Sequence, residues 1–539
     1  MYAIRFRWAA CQLDSLRSCI NLHGLRTKLA SLPKDLDETY DRILDSIDED
    51  NQQDALKILQ WLTYSARPLL LEEIVEVIAI DVKESPRFDA AKRYSEPRDI
   101  WMICSSLISL QEEVLEDTVA GYTIIQLAHF SVKEYLISPR IQKGRVKHYS
   151  IQEVDANAVI AESCLAYLLQ FDEPGSLTNQ SVLEFPLAHY AAEYWTKHAQ
   201  VAERDSTFAP LLSMELLLTK GHSLLNWIRL YNLEESWQGS DMTRGFDVCP
   251  PLYYASFAGL IRSVKSILDR GADINAQAGY YGNALQAASY RGHHQVVQML
   301  LDKGADVNIQ GGRYNYALQA ASAGGYNQVV QILLDKGADV NAQSKHGDAL
   351  QIASTGGYNH VVQILLDNGA DVNAQGGRLG NALYAASKRG YDQMVQILLD
   401  NGADVNAQGK RGTALQAASS GGHGQVVQIL LDKGADVNAQ GVFGNALQIA
   451  SSNGHDQVVQ IVLDKGADVN AQGEFGNALQ MASLEGHEQV VQILLDKGAN
   501  INAQGKHGTA LQIASEGGHD EVVQMLLAAS KSSSSEDED

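Results

Sequence analysis

Asn381-Ala382-Leu383-Tyr384-Ala385-Ala386-Ser387-Lys388-Arg389-Gly390 is the stretch whose reading decides the fold of the second half of this chain. Asn at its head is a strong helix cap, because its side-chain oxygen accepts an amide hydrogen that has no partner inside the helix. Leu383, Ala385 and Ala386 then give a short helix with one small-residue face, and Gly390 ends it. From Gln393 to Asp400, Met394, Val395, Ile397, Leu398 and Leu399 fall at helical spacing, and Gly402 follows as a residue able to take positive φ. The spacing predicts two antiparallel helices and then a polar, glycine-rich turn, Asn406 to Gly412, that projects between one pair and the next.

The phrase recurs every 32 or 33 residues, with its Leu at 285, 318, 350, 383, 415, 447, 479 and 511. Gly-Ala-Asp/Asn returns in step, from Gly271 to Gly498. One unit is too small to bury its own apolar face, so stability must come from stacking neighbours into a continuous core. Nine helix pairs can be counted, the first a degenerate one at Pro250-Pro251-Leu252-Tyr253-Tyr254-Ala255-Ser256.

The pattern closely resembles the ankyrin repeat, carried by Gly518-His519-Asp520-Glu521-Val522-Val523 and Gly434-Ala435-Asp436-Val437-Asn438, over about residues 249–529. That resemblance implies an α-solenoid that binds protein. One departure is systematic: the family's Thr-Pro-Leu-His stands here as Asn/Thr/Asp-Ala-Leu-Gln. Loss of Pro and His is expected to weaken a local hydrogen-bonding staple, while the N-cap survives except at Tyr316, which marks the unit after Asn308 as the softest. Histidines at the helix junction (His423, His455, His487, His519) are read as structural, because Tyr326, Tyr358 and Tyr391 fill the same slot and cannot replace an imidazole ligand.

With 539 residues, 45% of them hydrophobic, and a net charge of −23, the chain has material for more than one core. The charge divides into −13 over 1–250, −7 over 251–529 and −3 in the tail, so neither half offers a general surface for polyanions. The five cysteines are dispersed without a Cys-x-x-Cys pair, which suits a reducing, cytoplasmic setting. The N-terminus lacks the apolar run of a secretion signal, and no membrane span is expected.

Because the framework is nearly identical from unit to unit, the positions that differ are informative, and they concentrate at the turn tips. The tip pairs are Tyr280/Tyr281, Arg313/Tyr314, Lys345/His346, Arg378/Leu379, Lys410/Arg411, Val442/Phe443, Glu474/Phe475 and Lys506/His507. Arg and aromatic side chains dominate interface energetics. The expected partner-binding residues are therefore Tyr280, Tyr281, Arg313, Tyr314, Lys345, Arg378, Lys410, Arg411, Phe443, Phe475 and Lys506, reading a protein with an acidic stretch that ends in an apolar anchor. The alternative is that tips drift because nothing packs on them.

The first half reads as helices at Phe6–Leu22, from Leu32-Pro33, and over 54–80 around Pro68. A hairpin at Leu107–Leu110 and Tyr122–Leu127 and a helix from Ser131 to Ile137 complete a winged-helix outline at 51–140. No cluster of Lys and Arg meets phosphates there, so nucleic acid is not an expected partner. Phe6–Leu13, Leu32–Leu44 and Ala128–Leu136 resemble the segment after the nucleotide-binding core of fungal NACHT-type signalling NTPases with ankyrin tails; the middle part is similar to the GPI inositol-deacylase winged-helix domain. The resemblance implies a place against bound nucleotide for His129, and an NTPase core in cis or in trans. The phosphate loop Gly-x-x-x-x-Gly-Lys-Ser/Thr is missing, since Gly409-Lys410 and Gly505-Lys506 lie in repeat turns.

A hydrolase serine would need Gly-x-Ser-x-Gly; the nearest approach, Gly221-His222-Ser223-Leu224-Leu225, reads as an N-cap. Residues 141–248 read as a helical connector in which Phe185–Trp195 looks like an eroded repeat helix. The tail 530–539, with Ser532–Ser535 before four acids, is expected to be unordered, either solubilising or an acid-directed phosphorylation site. The chain as a whole reads as mainly α, a helical and winged-helix N-terminal region followed by an ankyrin-repeat α-solenoid. It is expected to be a non-enzymatic recognition protein without a cofactor or metal, the sensor half of a nucleotide-gated receptor.

Overall fold

The computed structural model describes residues 32–104, 106–114, 121–205, 208–235, 239–243, 245, 248–377, 380–409 and 411–535. The expected helix Phe6–Leu22 and the tip residues Arg378 and Lys410 lie outside them. Two compact units form, Met1–Asp273 and Ile274–Asp539.

In the first unit, helix α1 (Leu36–Asp45) starts where Pro33 and the acids placed it, with Asp35 accepting the Glu38 amide hydrogen at 2.9 Å. It is followed by α2 (Gln52–Tyr64), β1 (Leu69–Leu70), α3 (Leu71–Ile78), α4 (Ile100–Ile103), β2 (Ile108–Val114), β3 (Gly121–Leu127) and α5 (Phe130–Leu136). The strands form an antiparallel sheet in the order β1-β3-β2, with Leu69 opposite Ile125 and Ile108 opposite Leu127. Ile58, Trp61, Ile74, Ile125 and Leu136 are buried in its core. The hairpin stood in the sequence, but β1 did not, because two residues display no alternation.

Next come α6 (Glu153–Leu169) and α7 (Ala188–Ala202), packed on each other, then α8 (Leu211–Leu218), α9 (Ser223–Leu230), and the degenerate pair α10 (Pro251–Phe257) and α11 (Ile261–Asp269). Buried Glu203, at the end of α7, accepts the Arg262 amide hydrogen at 2.8 Å and the Ser263 hydroxyl hydrogen at 3.1 Å. A connector carboxylate thus caps the first outer helix, where backbone amides lack helical partners.

The second unit repeats an inner and an outer helix, from Ala284–Arg291 with His294–Asp302 to Ala510–Gly517 with Asp520–Ser535. Inner helices are capped by Asn, Asp or Thr; Asn445, for example, accepts the Gln448 amide hydrogen at 2.9 Å. Tyr316 makes no such bond. The residue before it, Asn315, holds φ 74°, a left-handed conformation that other units give to Gly.

The expected weakening of the staple by Gln does not occur. Gln448 Nε2 donates to the Ala471 and Gly476 carbonyls of the next unit at 3.0 and 2.9 Å, while its Oε1 accepts the Asn445 amide hydrogen at 2.8 Å. Gln286, Gln351, Gln416 and Gln480 donate across the junction in the same way, and Gln319 reaches the Ala342 carbonyl. A primary amide in the family's His position thus donates to the next unit and accepts from its own cap at once. Tyr384 interrupts the ladder, setting a phenol where its neighbours set an amide.

A second ladder runs through the Asn of Asp-Val-Asn: Asn406 Oδ1 accepts the Asp436 amide hydrogen at 2.8 Å, and its Nδ2 donates to the Gly434 carbonyl at 3.1 Å. The junction histidines form a third, with His423, His455, His487 and His519 Nε2 facing the carbonyls of Lys388, Ser420, Ser452 and Leu484 at 2.9–3.3 Å. Each ring lies over a helix-ending Gly of the preceding unit; a Cβ on Gly390 would stand 2.5 Å from His423. Exposed Lys–Asp pairs (Lys336–Asp302, Lys433–Asp400, Lys465–Asp432, Lys497–Asp464) add little at such exposure.

The tail departs from expectation, since the last helix continues to Ser535. In earlier units Gly-Ala after a Lys, Arg or Asn stops the outer helix, whereas Leu527 here is followed by Ala528-Ala529-Ser530-Lys531, with no Gly to turn the chain.

Gln448→Ala leaves two carbonyls and one amide of a closed junction without partners, and should cost about 3 kcal/mol in urea unfolding of the full chain. Tyr316→Asn should restore the missing cap and add about 1 kcal/mol. An unchanged midpoint in the first variant would show that the amide ladder carries no stability.

Candidate interaction groove

The backbone ties the tips together before any side chain is considered: in the second unit the turn residues bridge as Gly409 with Gly412, Gly441 with Gly444 and Gly473 with Gly476. The two residues between such glycines form the tip. In five pairs the second member points along the row of inner helices: Tyr314, His346, Arg411, Phe443 and Phe475 all line recesses there. Among first members, Arg313 joins them, while Lys345 and Lys506 are exposed and line neither recess.

The first recess, of about 410 Å³, is bounded by Arg313, Tyr314, His346, Arg389 and Arg411 above the Gln351–Gly356 end of an inner helix. Neither Arg389 nor Arg411 pairs with a carboxylate among the described residues. Arg313 donates to the Tyr280 hydroxyl, and its guanidinium lies 5.2 Å from the Tyr280 ring centre and 5.6 Å from that of Tyr314. The second recess, of about 340 Å³, is more apolar, with Tyr384, Phe443, Ile449, Phe475 and Met481 alongside Lys388 and Arg411. Phe443 is 58% exposed and Phe475 47%, which is unusual for large apolar side chains with a stack of cores beside them. Burial pushes the Tyr384 phenol up, against the opposing pull of Arg411.

Tyr281 is a correction. It is buried, stacked on Tyr290 at 4.1 Å between ring centres and parallel to Tyr314 at 6.5 Å, so it builds the wall that carries Arg313 and offers no partner surface. Burial in that stack raises its phenol well above the ordinary range. Tyr280 stays partly exposed over it. Sequence reasoning missed Lys388, Arg389 and Met481 on the inner helices. The signal was the same unit-to-unit variation that singled out the tips: Ala323, Thr355, Lys388, Ser420, Ser452 and Leu484 share one position.

In the first unit His129 caps α5, its Nδ1 2.6 Å from the Ser131 hydroxyl and 3.2 Å from the Ser131 amide nitrogen, and the Ser131 hydroxyl meets the Tyr40 hydroxyl at 2.8 Å. Its ring is half-buried beside Phe130. Ser223 opens helix α9 but is not the cap; it is fully buried, and Asp172 accepts both its hydroxyl hydrogen at 2.7 Å and its amide hydrogen at 3.1 Å. That hydroxyl is not presented to a substrate. Among the described residues no cluster of three or more His, Cys, Asp or Glu is placed to hold a metal ion, and no helix is long and apolar enough to cross a membrane.

A polar chain the sequence did not reveal links the sheet domain to the connector. The Ala66 amide donates to the Tyr190 hydroxyl at 2.9 Å, which meets His198 Nε2 at 3.0 Å, while His198 Nδ1 meets Asn157 Oδ1 at 2.7 Å. Asn157 Nδ2 donates to the Glu153 carbonyl, so its oxygen faces the imidazole and the neutral ring keeps its hydrogen on Nδ1. Burial, with Lys197 adding to it, lowers the His198 pKa to about 4.

A stack of paired helices with a variable, partly aromatic groove is the architecture of a binding solenoid. Comparison with known proteins agrees. Residues 252–344, 284–376, 317–409, 350–441, 382–473 and 447–537 match Ankyrin repeats (3 copies), which take in more than half of the sequence. The chain belongs to the ankyrin-repeat family. Residues 31–151 match the winged helix domain of GPI inositol-deacylase, a span that includes α1 as well as the winged-helix outline. Azaphilone pigments biosynthesis cluster protein L of Monascus ruber is 43% identical over 298 residues, 53% of this chain. The aligned part spans 63% of that protein's length. The human ASB11 ankyrin repeat domain is similar over 41% of this chain and 99% of its own, at 26% identity and a TM-score of 0.38.

Because the folded His198 stays neutral down to about pH 4 while the unfolded one charges near 6.5, its contribution is complete above pH 6.5 and is lost as pH falls toward 4. Relative to His198→Gln, the wild type should lose about 2 kcal/mol of stability between pH 7 and pH 5. Parallel stability profiles for the two proteins over that interval would refute the assignment.

Proposed function

We propose that this chain is a non-catalytic recognition protein in which the ankyrin array captures another protein along the row of tips and inner-helix ends. One observation carries the reading: an almost invariant framework holds a file of Arg and aromatic side chains that differ from unit to unit and are left open to solvent. Large exposed apolar side chains in such a file, Phe443 and Phe475, are a cost to a solubilised surface unless something covers them.

The winged-helix match supports a finer role, as the sensor half of a fungal STAND-type signalling receptor in the cytoplasm. There, a ligand on the array would alter the hold of the winged helix on a nucleotide-driven switch. A second reading, with this chain as part of a NACHT switch whose NTPase core lies elsewhere, is favoured by exposed Trp101, Met102 and Phe130 on the winged-helix domain. These apolar side chains suit a docked domain, and His129 stands next to Phe130.

As bait in its native host, the full chain should retain specific proteins that Arg411→Ala/Phe443→Ala/Phe475→Ala loses by at least tenfold, with the unfolding midpoint unchanged. Equal recovery by both baits would exclude the groove as the recognition surface.

A further inference from the structure

The partner's chemistry can be taken further, on the basis of the recognition reading above. We infer that the groove receives an extended acidic segment of a partner protein, with one apolar side chain of that segment seated between Phe443 and Phe475.

Charge provides the first support. Arg313, Arg389 and Arg411 converge on one recess in a chain of net charge −23. Three guanidiniums that line one recess repel one another, and among the described residues no carboxylate joins Arg389 or Arg411 to relieve them. Carboxylates from outside would, and Arg presents a fork that matches them. Arg313 is already held in place by the Tyr280 and Tyr314 rings, so little side-chain freedom is lost when it binds.

Continuity provides the second. Arg411 lines both recesses, so the cationic and apolar parts form one path. Around Phe475 acids enter the file: the helix-end position that holds Arg389 holds Glu485 three units on, and Glu474 stands at the tip beside Phe475, with Lys506 at the tip that follows. The three guanidiniums of the first recess have no counterpart in the second, so the acids of the segment are drawn to the Arg313 end. Packed helices stand roughly 8–10 Å apart, and four steps separate the Tyr314 unit from the Phe443 unit, so an extended chain covers the path with about 10–12 residues.

The test uses the full chain and fluorescein-labelled 12-residue peptides with four Glu at one end and a Leu-Phe anchor at the other, made in both chain directions, with Lys-for-Glu and Ser-for-anchor copies. By anisotropy, one direction should bind at least tenfold more tightly than its Lys copy and weaken as salt is raised. Arg411→Glu should cost at least tenfold. Phe443→Ala/Phe475→Ala should weaken the anchored peptide and leave the Ser copy unaffected, and a benzophenone at the anchor should crosslink within residues 441–481. Equal binding of the Lys copy, tighter binding of a 12-nucleotide oligothymidylate, or crosslinks in other units would overturn the inference. If no peptide binds while the host bait still recovers proteins in an Arg411-dependent way, this inference falls and the recognition reading stands.

Discussion

The array depends on hydrogen bonds handed from one unit to the next. Gln448 closes its own cap and then satisfies two carbonyls of the following turn, while Asn406 grips both an amide and a carbonyl of the unit ahead. The groups that Gln448 meets are buried or partly buried, so without its side chain they would remain unpaired at about 1–3 kcal/mol each, whereas the Asn406 bonds lie at the exposed edge of the stack. A single unit therefore lacks both its apolar cover and its polar partners, and the two deficits are corrected by the same act of stacking. The inner helices tolerate a remaining imbalance. Ser322, Ser354, Ser387, Ser419 and Ser451 are fully buried with hydroxyls that have no hydrogen-bond partner, at a position where small size matters more than polarity.

That dependence explains how much could be read from the chain beforehand. Caps, helix spacing and glycine stops act over three or four residues, so Asn381, Leu398 and Gly402 disclosed the helix pair directly. The Gln bridge acts over 23 and 28 residues and exists only once units are stacked, so a substitution that looked like a loss proved to make a bridge of its own. The same holds for the tips. Variation between units found Arg411, Phe443 and Phe475, but Tyr281 was misplaced because its burial depends on a stack with Tyr290 of its own inner helix and Tyr314 of the next tip, which exists only once the units are assembled. In the first unit the hairpin was legible from its apolar runs, whereas β1 and the Tyr190–His198–Asn157 chain depend on meetings between distant segments.

A framework that maintains itself through backbone-directed side chains frees its tips from structural duty. This is why cationic, apolar and acidic positions can succeed one another along the groove while the helices beneath scarcely change. Tyr384 is where the two roles meet: it gives up the amide bridge of its unit and lines the recess of Phe443 with an aromatic ring. The amide ladder is thus interrupted where the groove changes character. Asn368 and Asn401 stand nearby in place of the Lys that elsewhere reaches an Asp of the preceding unit.

A stack of this kind has ends, and an end unit must cover an apolar face that no neighbour buries. The degenerate pair α10–α11 is covered by the connector, where Gln200 donates to the Ala258 carbonyl and the buried Glu203 carboxylate caps α11. Burial raises the Glu203 pKa, and the Arg262 and Ser263 hydrogen bonds pull it back, so the carboxylate is held where it is by the helix start it caps. Removal of the carboxylate would leave the Arg262 amide at the start of α11 without its acceptor. The connector is therefore tied to the first pair by buried and half-buried hydrogen bonds. Through Tyr190 on the same helix α7, it also meets the segment that leads into β1. One helix carries both attachments, so any displacement of the sheet domain relative to α10–α11 must strain α7 or break a buried hydrogen bond.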